Sequence, residues 1–538
     1  MNDETHVRVA VIGGGCAGAY SALRLQRAER GPVVLFEYGD RIGGRLYSRT
    51  LPGMPHVHAE VGGMRFIREK HKLVVGMIEE LGLKARSFPM GHRDPKIGSN
   101  QNFVYLRRRH LRYGELSNSV KVPYELNWPE RDMNPDELQT WAYRYLVPNW
   151  DTATLDDLFK VHVFGKPLYK YGLWDLLYLV MSGEAYEFMR DAGGYDCNVA
   201  NANAVSSLPS DDFGPTVVYE TLVKGYDQLP IQTVNTFVKE GGEVRHHHRL
   251  KSIVRKDGGG VRLAFVRTET ETANDAVRRT VVDTDDHFTV DADHVVLAMP
   301  RRSLELIDWT PLREDKMLRH DLKTVIKQAG IKLLLGYEYP WWKALGLEAG
   351  RLITDLPIRQ VYYFGSEQEA IDGERGNSNA LLMASYNDLS TLPFWKVFEN
   401  DPAFRGRNPG EPTNPDVLNV LPQHHPATTG MVEMAQLLIA EVHGMRTLPT
   451  PYTAVFQDWT EDPFGAGWHA WKAGVDFRHT MKRIRKPIDD WPVYICGEAY
   501  SFNQGWVEGA LQTAELMLEE HFGLNRPTWL AKDYSLGP

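Results

Sequence analysis

The stretch Val9-Ala10-Val11-Ile12-Gly13-Gly14-Gly15-Cys16-Ala17-Gly18, with Val33-Val34-Leu35-Phe36-Glu37 beyond it, decides the fold. It reads as an apolar strand, a glycine turn opening a helix, a second apolar strand and an acid at its tip. That pattern opens an α/β unit built to hold a dinucleotide. Gly13 permits the tight turn, Gly15 lets a pyrophosphate approach the backbone, and Gly18 lets the helix pack closely on the strand. Ala17 lies in the same first helical turn, whose unpaired N–H groups face the phosphates. Glu37 is placed to accept hydrogen bonds from a ribose diol.

Two further glycine pairs follow, in Asp40-Arg41-Ile42-Gly43-Gly44-Arg45 and in Glu60-Val61-Gly62-Gly63-Met64-Arg65. Backbone of this kind, with Arg45 and Arg65 close behind, suits a large planar cofactor and its phosphates. A nicotinamide enzyme has no need of the second segment. Near the other end stand Val493-Tyr494-Ile495-Cys496-Gly497-Glu498 and Asn503-Gln504-Gly505-Trp506-Val507-Glu508. An apolar strand reaches a Gly-Glu, and a helix starts near Trp506 with its amino terminus aimed at an electron-rich group.

Composition excludes several classes. The chain has 538 residues, room for two or three domains, with 43% apolar and 24% charged residues, as in an ordinary globular protein. A balance of 61 basic against 70 acidic residues argues against nucleic acid as a partner. Cys16, Cys197 and Cys496 are too widely spaced for a disulfide framework or a zinc site. The run His246-His247-His248 reads as strand residues facing alternate sides rather than as metal ligands, and no metal is expected. No signal segment and no membrane-spanning run is apparent, so a cytoplasmic location is expected.

The two end motifs together resemble the flavin-dependent amine oxidase superfamily, and the L-amino-acid oxidases of bacterial type within it. The resemblance implies an α/β flavoprotein (α+β, two-domain) with a Rossmann-like FAD-binding domain. It implies FAD, bound without a covalent link because no cysteine of the closing motif matches a linked one. Glu498 would hold the ribityl or phosphate region, and the Trp506 and Val507 amides would lie at the pyrimidine end of the flavin. Gly63 and Met64 belong to the same cofactor segment, and Val254 matches the residue whose backbone meets the adenine.

For substrate, Arg65 is similar to the carboxylate-binding arginine of L-amino-acid oxidases, and Tyr386 to the tyrosine that assists it. Lys332 matches the lysine that holds a water over the flavin. Trp468 and Trp506 match an aromatic cage, and Gly505 the carbonyl that receives the substrate amine. Ser206-Ser207-Leu208-Pro209-Ser210-Asp211-Asp212 lacks the histidine carried by snake-venom members, so no protein base is assigned. The activity implied is oxidative deamination of L-amino acids by O2, giving 2-oxo acid, ammonia and hydrogen peroxide. The aromatic-rich segment 100–205 leans the substrate toward aromatic or long apolar side chains. An L-amino-acid 2-monooxygenase giving amide and CO2 is the alternative, and a polyamine or monoamine oxidase a more distant one. A homo-oligomer, dimer or higher, is expected, without nucleic-acid or membrane partners.

The expected organisation is discontinuous. Residues 1–75, 230–320 and 455–538 form the FAD-binding domain, and 76–100 with 320–454 a sheet-plus-helices substrate domain. Residues 101–229 form a helical insertion. Helical spacing marks Lys70 to Leu83 and Leu173 to Met189. The Pro-, Asn- and Gly-rich segment 398–428 is expected to form a long surface excursion.

Overall fold

The computed structural model describes residues 5–92, 94, 96–208, 212–213, 217–272, 279–411 and 427–538. Two large sheets organise them. In the first, of eight strands, Thr5–Ile12 runs parallel to Val33–Phe36 on one side and to Arg279–Ala298 on the other. Val493–Cys496 extends the sheet in parallel, from Val295↔Val493 to Ala298↔Cys496. Earlier in its length, Arg279–Ala298 pairs antiparallel with Val261–Thr272, and His248–Arg255 lies beyond. The parallel strands Val33–Phe36 and Val493–Cys496 are unbroken apolar runs because both their faces are covered. Val9 and Val11 pack with helix Cys16–Arg27, while Ala10 and Ile12 join the opposite core. These strands all come from the three segments expected to build the nucleotide-binding domain.

The second sheet has seven strands, in the order Thr453–Asp458, Gly330–Tyr337, Ala380–Asp388, Gln360–Ser366, Gly350–Thr354, Phe103–Leu106 and Arg109–Arg112. Every residue of Gly330–Tyr337 is buried. Ile331, Leu333 and Leu335 pack toward helix Thr429–Val442, whereas Leu334 faces Val57, Val61 and Met64. Strand alternation therefore turns Lys332 toward the nucleotide-binding part. The same argument applies along the sheet. Tyr363 joins the helix-covered face, and Tyr362 the face turned toward Met64.

Two expected boundaries move. Phe103–Leu106 and Arg109–Arg112 form a hairpin that pairs with Gly350–Thr354, so the insertion does not begin at 101. Thr453–Asp458 joins the second sheet, which carries that domain past residue 454. The helical reading of Leu173 to Met189 splits into Leu173–Leu177 and Gly183–Gly193, because Ser182 caps a new helix through the Ala185 N–H. Of the expected excursion, residues 412–426 lie outside the described residues. Its two ends are tied by the Phe404 N–H, which donates to the Ala427 carbonyl. No helix among the described residues is long and apolar enough to cross a membrane.

Candidate active site

The glycines of the first motif are each needed for a different contact. A Cβ on Gly18 would lie 1.9 Å from the Gly13 carbonyl oxygen, and Gly13 itself takes φ +108°. Gly15 caps helix Cys16–Arg27 without a side-chain hydrogen bond, leaving the first N–H groups of the helix open. Gly44 backs directly onto it, since a Gly44 Cβ would sit 3.1 Å from the Gly15 Cα. Glu37, buried at the strand tip, accepts from the Gly14 N–H at 2.7 Å and the Gly39 N–H at 3.0 Å. Burial pushes its carboxyl above the usual range. Each oxygen still has a lone pair for a ribose diol.

From this turn a cavity of about 560 Å³ runs toward the second sheet. Gly13, Gly15, Ala17, Glu37, Arg45, Gly63, Trp468, Glu498, Gly505, Trp506 and Val507 line it. Helix Val507–Phe522 points its amino terminus there, with Trp506 as an N-cap that makes no side-chain hydrogen bond. The cavity thus meets two open helix starts, the glycine backbone of the first motif and a buried acid. These residues fit a flavin dinucleotide.

Glu498 lines the cavity, and its carboxylate is held by protein groups. Its Oε1 accepts from the His469 and Gly505 N–H groups, both at 2.8 Å. Its Oε2 meets Arg45 Nη2 at 2.8 Å and His469 Nδ1 at 2.9 Å. All four acceptor positions of the carboxylate are occupied by protein groups. Burial works against its charge, but Arg45, His469 and the Gly505 N–H outweigh it and hold the carboxyl well below the usual range. The Glu498 side chain therefore ties Arg45, His469 and Gly505 together at the cavity wall. His469, next to Trp468, went unnoticed in the sequence.

Val254 is displaced from its expected role. It is 58% exposed, and the cavity is lined instead by His248 to Lys251 at the start of the same strand. The strand runs antiparallel to its neighbour, so its first residues lie beside Glu37, whose carbonyl accepts the His248 N–H. Met64 and Gly18 support the cavity from behind: Met64 is in the core, and Gly18 packs on Gly13.

Arg65, Lys332 and Tyr386 do not line that cavity; they meet beside it. Arg65 is buried, its guanidinium 4.1 Å from the Tyr219 ring, 5.6 Å from Phe88 and 5.8 Å from Tyr362. Among the described residues, its one hydrogen bond runs from Nη1 to the Met90 thioether at 3.2 Å. No carboxylate among the described residues pairs with it. Burial opposes the charge, but the surrounding phenols, Tyr362 foremost, outweigh it and hold Arg65 above its usual range.

Lys332 and Tyr386 are cross-strand partners, with Lys332 Nζ 4.7 Å from the Tyr386 ring. Nζ donates to the carbonyls of Glu60 and Gly62, which leaves one of its three protons free. Burial lowers Lys332 to about 7, against the pull of Glu60. Burial likewise raises Glu60 to about 8. Tyr386 is pushed up by burial and stays a neutral hydroxyl. Trp468 stacks over Gly330 and beside Gly505, and Trp506 packs between His71 and Phe213. In the segment without the snake-venom histidine, Pro209 to Asp211 lie outside the described residues.

Comparison with known proteins agrees with this geometry. The family model for flavin containing amine oxidoreductases matches residues 17–391. The chain is 30% identical to Aplysianin-A of Aplysia kurodai, over 97% of this chain and 91% of that one. It is 26% identical to Achacin of Lissachatina fulica, over 96% and 93%. It is 22% identical to an L-amino-acid oxidase of Notechis scutatus scutatus, over 95% and 86%. Among solved structures, a putrescine oxidase bound to putrescine superposes with a TM-score of 0.63 at 16% identity, covering 96% of this chain and 99% of that one; this likeness speaks for the fold. The chain belongs to the flavin containing amine oxidoreductases, and the dinucleotide for which its two helix termini and glycine turns are shaped is FAD.

Proposed function

We propose that the protein is an L-amino-acid oxidase, releasing 2-oxo acid, ammonia and hydrogen peroxide. The observation that carries this reading is Arg65: a buried cation with no anion among the described residues. A buried charge is costly until paired and hydrogen-bonded. A guanidinium pairs a carboxylate through two parallel hydrogen bonds. An α-amino acid brings that carboxylate; a simple amine does not.

FAD, when bound, supplies a two-electron acceptor whose reduced form reacts with dioxygen. The remaining work belongs to side chains. Arg65 anchors the α-carboxylate, and the neutral Tyr386 hydroxyl is available to donate to it. Trp468, Trp506 and the Gly505 backbone bound the amine end, between the anchor and the cofactor cavity. Lys332, fixed by two backbone carbonyls, keeps one N–H to hold a water there. The substrate ammonium must lose a proton before the α C–H bond is broken, because a protonated nitrogen has no electron pair to donate. The rings of Phe88, Tyr219 and Tyr362 give the site apolar walls for a side-chain stem. A diamine, the substrate named for the putrescine oxidase, would bring its own positive charges toward Arg65.

The test is anaerobic titration of the holoenzyme with L-amino acids, their D-isomers and simple amines, followed by aerobic assay of peroxide, ammonia and CO2. L-amino acids should bleach the enzyme and yield peroxide and ammonia in equal amounts. CO2 with an amide in place of ammonia would point to the monooxygenase, and bleaching by amines alone would overturn the reading.

A further inference from the structure

Arg351 has no role in the reaction as described, yet it lies one pair of phenols from Arg65. It sits in strand Gly350–Thr354, directly opposite Tyr362 of Gln360–Ser366. Its neighbour Leu352 packs on the helix-covered face, so alternation puts Arg351 on the face that carries Lys332 and Tyr362. The Arg65 guanidinium is 5.8 Å from the Tyr362 ring, and that of Arg351 is 5.7 Å from the Tyr195 ring. The hydroxyls of Tyr195 and Tyr362 are 3.2 Å apart. Tyr195 also packs edge-on against Tyr386, with ring centroids 5.2 Å apart. Two guanidiniums thus flank one pair of phenols beside the substrate position.

Among the described residues, neither arginine has an ion-pair partner. Arg351 Nη1 donates to the Gln360 side-chain oxygen at 2.6 Å, and Asp136 acts on it only through space. Like charges in a desolvated site repel, and a ligand carboxylate placed between them lowers that repulsion. Burial opposes a phenolate at Tyr362, but Arg65 and Arg351 outweigh it and hold that phenol below its usual range. The α-carboxylate of a substrate pairs one of the two cations. A neutral or aromatic side chain leaves the second unpaired, and a lysine or arginine side chain adds a third positive charge. A side chain ending in a carboxylate completes the neutralisation.

Resting on the amino-acid oxidase reading above, we propose that Arg351 is the second anion-binding group of the substrate site. It selects L-amino acids whose side chain ends in a carboxylate. The apolar walls then hold the methylene stem between two charged ends.

The test compares kcat/KM for L-glutamate, L-aspartate, L-glutamine and L-leucine in the wild-type holoenzyme and in R351M and R351K. Calorimetric binding of glutarate and valerate, which differ by one carboxylate, supplies a readout independent of turnover. The wild type should favour an acidic substrate over L-glutamine, which has the shape of L-glutamate without the charge, by at least tenfold. In R351M the ratio of kcat/KM for L-glutamate over L-leucine should fall about 30-fold or more, with R351K intermediate. Glutarate should bind more tightly than valerate to the wild type only. If the wild type turns over L-leucine or L-glutamine at least as well as both acidic substrates, the role of Arg351 is overturned while the amino-acid reading stands. If no amino acid is oxidised at all, the underlying reading fails instead. Should R351M not fold, the wild-type preference and the glutarate–valerate comparison still decide.

Discussion

At Arg65, water has been exchanged for the faces of Tyr219, Phe88 and Tyr362 and one thioether sulfur. On the amino-acid oxidase reading, Arg65 becomes fully paired when a substrate carboxylate arrives. Replacement by alanine removes one partner of a buried charge pair, a loss of about 2–5 kcal/mol. Arg65→Ala should therefore lower kcat/KM for L-amino acids by about one and a half to three and a half decades. FAD content should be unchanged, and an amine lacking the carboxylate should be affected far less. Retained amino-acid turnover with lost FAD would place Arg65 on the cofactor. Lys332 makes a second prediction. With Lys332 near 7 and Glu60 near 8, the two titrate as a pair across this window. The positive charge is present below pH 7 and is lost as pH rises. The reaction of reduced enzyme with oxygen should slow over that rise, and Lys332→Met should be slow at every pH. Stopped-flow measurement of both enzymes from pH 6 to 9 tests this; a pH profile that survives in Lys332→Met would assign the titration elsewhere.

Among the elements, the opening strand-turn-helix is the part most fully written in sequence, because its constraints are local. Gly18 and Gly15 separate two of them. A Cβ at Gly18 strikes the Gly13 carbonyl, whereas at Gly15 its nearest neighbour is the Gly44 Cα at 3.7 Å, an ordinary contact. Gly18→Ala should destabilise the protein without cofactor, by about 1–3 kcal/mol as in other overpacked sites. Gly15→Ala should leave that stability nearly intact and weaken FAD binding, because its methyl group points where the phosphates approach. Thermal unfolding of the apoprotein and an FAD titration distinguish the two; equal apoprotein Tm losses would refute the distinction. Less legible were features set by distant pairing. Val254 and Leu250 carry similar apolar signals, and only the antiparallel register of their strand decides which end reaches Glu37. The hairpin 103–112 reads locally as part of an aromatic-rich insertion, since its partner Ile353 is far away in sequence. Arg351 belongs to no motif, and only the pairing of its strand sets it opposite Tyr362.

In the whole molecule, Glu498 is where the separate segments of the nucleotide-binding part are joined. It draws Arg45 from the opening segment, His469 from the strand beyond the second sheet and Gly505 from the closing loop. Glu498→Gln keeps the shape but removes the charge that Arg45 and His469 face. It should lower stability by about 3 kcal/mol and weaken FAD retention together; loss of one without the other, by unfolding and flavin release, would contradict the joint role. The pairing of residues 5–12 with 290–297, and of 295–298 with 493–496, has a consequence for how the protein is made. A chain leaving the ribosome presents its phosphate turn first, but Glu498, Trp506 and the last sheet strand emerge hundreds of residues later. The nascent chain cannot enclose the flavin by halves. Cofactor capture is thus expected to wait for residues 493–507, and a product truncated before Val493 should remain colourless.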